Sequence, residues 1–388
     1  MQNKTLYSLW NFSFVLWFIT EFTFSRSVFA MVGLGLFCAL SLMVMMVEKR
    51  VRTSNLFIYY LLFVLVCFLN IQLGHSIDKS YSIKMIVTLL RNFVFLLCAY
   101  NYTIRIGTDK LKRIFIFSSF ISSFIILLIV YIKTGSIILR YEIDTINPNA
   151  LAVCDAVAVC WLLSNRIKIK KHQLFLIIFF IIFTLLSGTK KALIAIILGF
   201  TIMVLLNKPN QLLKNTLFIS FGLIISYAVL MYIPLFYEII GARVESLFSL
   251  LLGGEGDASS EARSGFIELG LYYFQTNPLW GNGINCFHTL KDAYGTYSHN
   301  NFVELLFSVG IIGTISYYLM HIYILIKSFK SYLRIRTINT ILSIAFIIVT
   351  IVMDIAWVSY FERSSLIYLI LCLQLIASNP SRIINNTY

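Results

Sequence analysis

Residues 28–47 read VFAMVGLGLFCALSLMVMMV, and residues 48–52 read EKRVR. The first stretch is twenty residues without a charge, long enough to cross a hydrocarbon core of about 30 Å as an α-helix. The second places Lys49, Arg50 and Arg52 directly behind it. This pairing of an apolar run with a basic flank recurs along the chain. Apolar runs fall at 8–24, 28–47, 55–73, 85–103, 114–132, 149–164, 173–188, 191–206, 215–233, 301–326, 338–357 and 364–378. Prolines 148, 209, 234, 278 and 380 sit between these runs or at their edges, where helices are broken. The run at 149–164 is the weakest, because it carries Asp155.

Composition agrees. Of 388 residues, 59 % are apolar and only 12 % are charged, about half the usual charged share of a soluble domain. No water-soluble core absorbs that much apolar surface. A soluble enzyme, a disulfide scaffold and a disordered chain are excluded. The expected fold is all-α: a single polytopic bundle over 1–388 with about twelve transmembrane helices. The first apolar run has no small-residue cleavage site behind it, so it is expected to persist as a helix. The seven cysteines form no CxxC pair, and six lie in apolar runs, so neither a metal site nor a disulfide framework is expected.

The net charge of +14 follows from 31 Lys/Arg against 17 Asp/Glu. With the N-terminus inside, alternate loops carry 19 Lys/Arg on the inner face and 11 on the outer, and Arg91 lies within a span. The positive-inside rule then places both termini in the cytoplasm. Topology accounts for the basic excess, and no nucleic-acid partner is expected.

One connection stands apart. Residues 234–300, between helices 9 and 10, form a long extracytoplasmic loop, whereas the other loops are under about 20 residues. Gly253, Gly254 and Gly256 read as flexible. From Glu261 onward the pattern reads as a short interfacial helix, capped by Ser259 or Ser260 and ended by Asn277-Pro278.

Phosphate-binding loops, HExxH and GxSxG are absent. The informative residues lie in outward-facing segments: Asn147-Pro-Asn149-Ala; Ser187-Gly-Thr-Lys190-Lys191; Arg263, followed by Pro278-Leu-Trp-Gly281-Asn-Gly283; and His299-Asn300-Asn301-Phe-Val-Glu304 running into Gly310-Ile-Ile-Gly313. This ordered set, across roughly residues 147–313, resembles the O-antigen ligase/polymerase superfamily and looks most like its Wzy-type repeat-unit polymerases. The family's small-residue turn usually ends in Arg, and here Lys190 stands in its place, a point charge rather than a planar fork. Residues 1–140 carry no matching motif.

The resemblance implies a GT-C-like bundle in the bacterial inner membrane that polymerises undecaprenyl-diphosphate-linked oligosaccharides into O-antigen, capsule or exopolysaccharide. The transfer it implies is inverting and metal-independent, with no cofactor, and its expected partners are a chain-length regulator and a flippase. A metal-free transfer needs fixed cations for the leaving diphosphate; Lys190, Arg263, Lys191 and Arg243 are the candidates. His299 and Glu304 are the candidate catalytic groups. Asn149, Asn300, Gly281 and Gly283 are expected to support them. The same residues also have plainer readings: Lys190 and Lys191 as snorkelling ends of a span, Arg263 as a solvated charge, and His299-Asn300 as a helix cap.

Two alternatives remain at this level. A ligase that transfers the glycan to lipid A core shares these motifs. A twelve-span transporter or flippase would have two six-span halves joined by a long inner linker, whereas here the long loop is outer and follows span 9, and no internal repeat is visible. Arg91, buried in a span, is expected to pair with one of the acids Glu21, Asp155 or Asp354.

Overall fold

The computed structural model describes residues 2–25, 27–139, 146–164, 169–251 and 258–378. Gly253, Gly254 and Gly256 lie outside these residues, as do Arg26, Arg140, Arg166, Lys168 and Arg382. The described chain is helical and without strands. The helices that follow the apolar runs are α1 (Gln2–Thr23), α2 (Val28–Glu48), α3 (Asn55–Gln72), α4 (Lys79–Ile106), α5 (Thr108–Thr134), α6 (Pro148–Leu163), α7 (Lys171–Leu186), α8 (Lys190–Asn207) and α9 (Leu212–Tyr232). Two more occupy the long connection: α10 (Ala242–Leu251) and α11 (Ala258–Thr276). Then come α12 (Asn301–Arg334), α13 (Ile338–Met353) and α14 (Arg363–Ala377). Among the described residues, seven helices are long and apolar enough to cross a membrane, and α6, α7, α13 and α14 are shorter apolar helices. The chain is a polytopic helical membrane protein.

Burial sorts these helices. α6 and α14 are apolar on every side and buried along nearly their whole length, as a helix without a polar face must be. The run that looked weakest is therefore a core helix. Its Asp155 is fully buried and accepts a hydrogen bond from Ser123 Oγ at 2.7 Å. α9 buries none of its side chains and rests against α8 at the edge. α12 packs on α3, α13 and α14, and α8 packs on α6 and α13, so these helices form the centre. Glu21 on α1 is held by Arg363 at the start of α14 through two bonds, at 3.0 and 2.8 Å. Glu21 thus has Arg363 as its hydrogen-bonded partner, and the Arg91 guanidinium reaches Met31 Sδ at 3.3 Å.

The long connection holds more helix than expected. α10 follows a single π-turn (Tyr237–Gly241). α11 begins at Ala258, so Ser259 and Ser260 fall inside its first turn rather than ahead of it. It ends at Thr276, just before Asn277-Pro278. α11 lies against the start of α12 so closely that a Cβ on Gly270 would collide with Val303.

The sharpest feature is a break in α12. Gly310 has φ +63°, which interrupts the helical hydrogen-bond ladder. The interruption strands four backbone groups, and residues 278–283 take up all four. The N–H groups of Ile311 and Ile312 donate to the carbonyls of Pro278 (2.9 Å) and Leu279 (3.3 Å). The carbonyls of Phe307 and Ser308 accept from the N–H groups of Asn282 (2.7 Å) and Gly283 (2.9 Å). An unpaired backbone group costs several kcal/mol in an apolar surround, so the loop acts as a plug. Gly281 and Gly310 are glycines because the two backbones touch: a Cβ on Gly281 would stand 2.5 Å from the nitrogen of Gly310. From the other side, Asn70 Nδ2 donates to Trp280 O at 2.6 Å, and His75 stacks on the Trp280 ring.

Candidate active site

At the end of the bundle where α8 and α12 begin, four segments meet: the 187–191 turn, the 297–304 turn, α11, and the 354–362 connection between α13 and α14. The 187–191 turn is built by short polar side chains. Ser187 Oγ donates to Thr189 Oγ1 at 2.9 Å, and Thr189 Oγ1 donates to Asn149 Oδ1. Gly188 turns the chain at φ +63°. Arg243, from α10, donates to the Gly188 carbonyl at 3.2 Å. Asn149 and Arg243 thus shape the turn that launches Lys190 and Lys191 at the N-terminus of α8. Two cations at a helix N-terminus add to the positive end of its dipole, an unfavourable arrangement that an anion relieves.

The second turn presents His299. Its φ of 57° is left-handed, a conformation that His adopts more readily than most side chains. Two neighbours enforce it. Asn300 caps α12, its Oδ1 accepting from the N–H groups of Phe302 (3.0 Å) and Val303 (3.2 Å). Glu304, buried, reaches back and accepts from Ser298 N–H at 2.9 Å. The ring of His299 lies beside those of Tyr297 (centroids 4.3 Å apart) and Phe266 of α11 (6.1 Å).

Charge surrounds this imidazole. Burial, then the positive charges of Arg263 and Lys191, push its pKa down to about 4. Three sequence-selected residues from α8, α11 and the 297–300 turn therefore act on one another. Lys191 acts on the charge of His299; its ammonium also lies 5.2 Å from the Trp357 ring and within electrostatic range of Glu362. Lys190 opens the same helix one residue earlier. Gly281 and Gly283 stand apart from this group, in the plug that holds α12.

A further set escaped the sequence reading. Asn301 Nδ2 donates to Asp354 Oδ2 and to Tyr318 Oη, each at 3.1 Å. Its Oδ1 accepts from the N–H groups of Ser359 (3.0 Å) and Tyr360 (3.2 Å). Tyr318 Oη and Ser359 Oγ also donate to Asp354, at 2.8 and 2.5 Å. This buried network ties the start of α12 to the 354–362 connection, and so fixes His299 relative to Trp357 and Glu362. The visible signals were an Asp inside an apolar run and a second Asn after His299-Asn300. Among the described residues, no three His, Cys, Asp or Glu side chains gather at a metal-binding spacing.

Chemically, the site offers cations from two helices around a neutral imidazole, which suits an anionic leaving group beside a hydroxyl nucleophile. Residues 175–318 match the profile of a family described as O-antigen ligase. No curated protein is similar enough to the chain to count as a match. The matched span contains Lys190, Lys191, Arg243, Arg263, His299 and Glu304, while Asn149 and the 354–362 connection lie outside it. Over residues 175–318 the chain is thus similar to the O-antigen ligase/polymerase superfamily.

Proposed function

We propose that the chain is a Wzy-type polymerase that joins undecaprenyl-diphosphate-linked oligosaccharides on the outer face of the bacterial inner membrane, with both termini cytoplasmic and residues 234–300 extracytoplasmic. The observation that carries this reading is the convergence of α8, α11 and the 297–300 turn, which brings Arg263 and Lys191 close enough to His299 to act on its charge, with Phe266 of α11 6.1 Å from its ring. In the reaction, a sugar hydroxyl of the acceptor attacks the anomeric carbon of the donor. The bond from that carbon to the diphosphate oxygen breaks, and undecaprenyl diphosphate leaves with the electron pair. Arg263 and Lys191, backed by Lys190 and the N-terminus of α8, are suited to the charge that develops on the diphosphate. The hydroxyl proton passes to His299. A neutral imidazole is required for this, and the surrounding cations keep it neutral until a diphosphate enters. Glu304 serves by holding the His299 turn through Ser298. A phosphate contact by His299 would need an imidazolium, which burial, Arg263 and Lys191 oppose.

A ligase is the second reading, favoured by the description of the matching family. One reconstitution separates the two. Purified protein incubated with a lipid-linked repeat unit, without lipid A core, should produce a ladder of longer lipid-linked products. Transfer that occurs only when lipid A core is supplied would assign the ligase reaction. Failure with both acceptors would reject glycosyl transfer.

A further inference from the structure

At the opposite end of α12 lies a cavity of about 560 Å³ that glycosyl transfer does not use. Glu304 and Lys327 are 23 residues apart, about 35 Å at the helical rise, so the cavity sits roughly one hydrocarbon thickness from His299. Two neighbouring ridges of α12 line it. One runs Leu319, Tyr323, Lys327, Ser331; the other runs Ile322, Ile326, Lys330, Arg334. Both follow the four-residue spacing of a helix face. Along both, apolar residues come first and cations follow toward the helix end. Tyr59 of α3 and Ile376 of α14 close the sides, and among the described residues no carboxylate side chain lines the cavity.

We propose that this cavity binds the phosphate headgroup of an anionic glycerophospholipid, with its acyl chain along Ile322 and Ile326. Charge complementarity carries the headgroup: three cations turn into one concavity without an acid, and phosphate is the common anion at a membrane surface. The apolar half carries the chain, because Ile322 and Ile326 are 46 % and 49 % exposed on a spanning helix. Free phosphate has no use for that half. The arrangement differs from snorkelling. Lys327 is anchored, donating to Tyr323 Oη at 2.9 Å and lying 5.1 Å from the Tyr323 ring. Arg336, on the same helix end, packs over Tyr332 instead and does not line the cavity.

The test is native mass spectrometry of the purified full-length protein. It is equilibrated with equal amounts of phosphatidylglycerol and phosphatidylcholine bearing the same chains. At about 1 kcal/mol per cation, the wild type should retain phosphatidylglycerol at least about ten-fold over phosphatidylcholine. The triple variant Lys327→Ala, Lys330→Ala, Arg334→Ala should bring the ratio near one. Ile326→Trp should weaken retention with every cation in place, so a loss caused only by altered insertion is distinguishable. Millimolar inorganic phosphate should not displace the lipid. Equal retention of both lipids by the wild type would overturn the proposal, as would wild-type preference in both variants. Displacement by inorganic phosphate would overturn it too, reducing the cavity to a simple anion site.

Discussion

A base that works beside a diphosphate has to be unprotonated when the anion arrives. His299 meets this condition through its neighbours: burial, Arg263 and Lys191 hold its pKa near 4. Because the pKa is lowered, the imidazole is neutral at pH 7 and gains its proton only as pH falls through about 4. The acid limb of kcat/KM, which reports the free enzyme, is therefore expected near pH 4, with a plateau above it. Arg263→Gln removes one of the two repelling charges, and a pH–rate profile should show the limb moving upward, toward the ordinary imidazole range. An unmoved limb would separate Arg263 from His299. A bound diphosphate raises the pKa, so the limb of kcat should lie above that of kcat/KM. The lysine pair gives a second test at this scale. Lys191→Ala should lower kcat by about 10²–10³-fold, the cost of losing one charge-stabilising group. Lys190→Ala should cost less, and the reverse order in single-turnover assays would return the leading role to Lys190.

Among the elements, the broken helix α12 and its plug make the clearest prediction. Gly310→Ala has to place a methyl against the Leu279 carbonyl at positive φ. The backbone strain alone costs about 1–3 kcal/mol, so a fall in Tm together with lost activity is expected. Gly222→Ala, on exposed α9 with open space around it, should leave Tm unchanged or slightly raised. Equal Tm for the two variants would refute the interlock. Glu21→Gln leaves Arg363 with half a partner in a buried site, and breaking such a pair typically costs about 3–5 kcal/mol, readable as a large Tm shift. Helix positions were legible because twenty-residue apolar runs have one physical solution in a bilayer. The plug was not legible. Gly281 and Gly310 are each visible in the sequence, but no local rule joins positions 29 residues apart. Nor does an acid in a span name its partner, so Glu21 with Arg363 emerged only from the packing.

At the scale of the whole molecule, the resemblance read from the sequence grouped Lys190, Lys191, Arg243, Arg263 and His299 as candidates for one site, because a leaving diphosphate calls for cations and an attacking hydroxyl for a base. It did not show that Lys191 acts on the charge of the histidine, because that depends on how α8 is set against the 297–300 turn. The Asn301–Asp354 network was hidden because its members come from separate helices. Sidedness rests on the 19-to-11 distribution of Lys/Arg. Reporters at position 255 and at the C-terminus should give opposite outcomes, and like outcomes would mean that a span has been miscounted. The claim that organises the rest is that His299 takes part in glycosyl transfer. Its most direct measurement is the rate at which purified protein elongates a radiolabelled undecaprenyl-diphosphate-linked repeat unit, wild type against His299→Asn. Asn tolerates the left-handed turn, so equal Tm values would certify the fold. The expected result is a loss of about 10²–10⁴-fold, the usual effect of removing a positioned base. Elongation by His299→Asn at the wild-type rate would contradict the account.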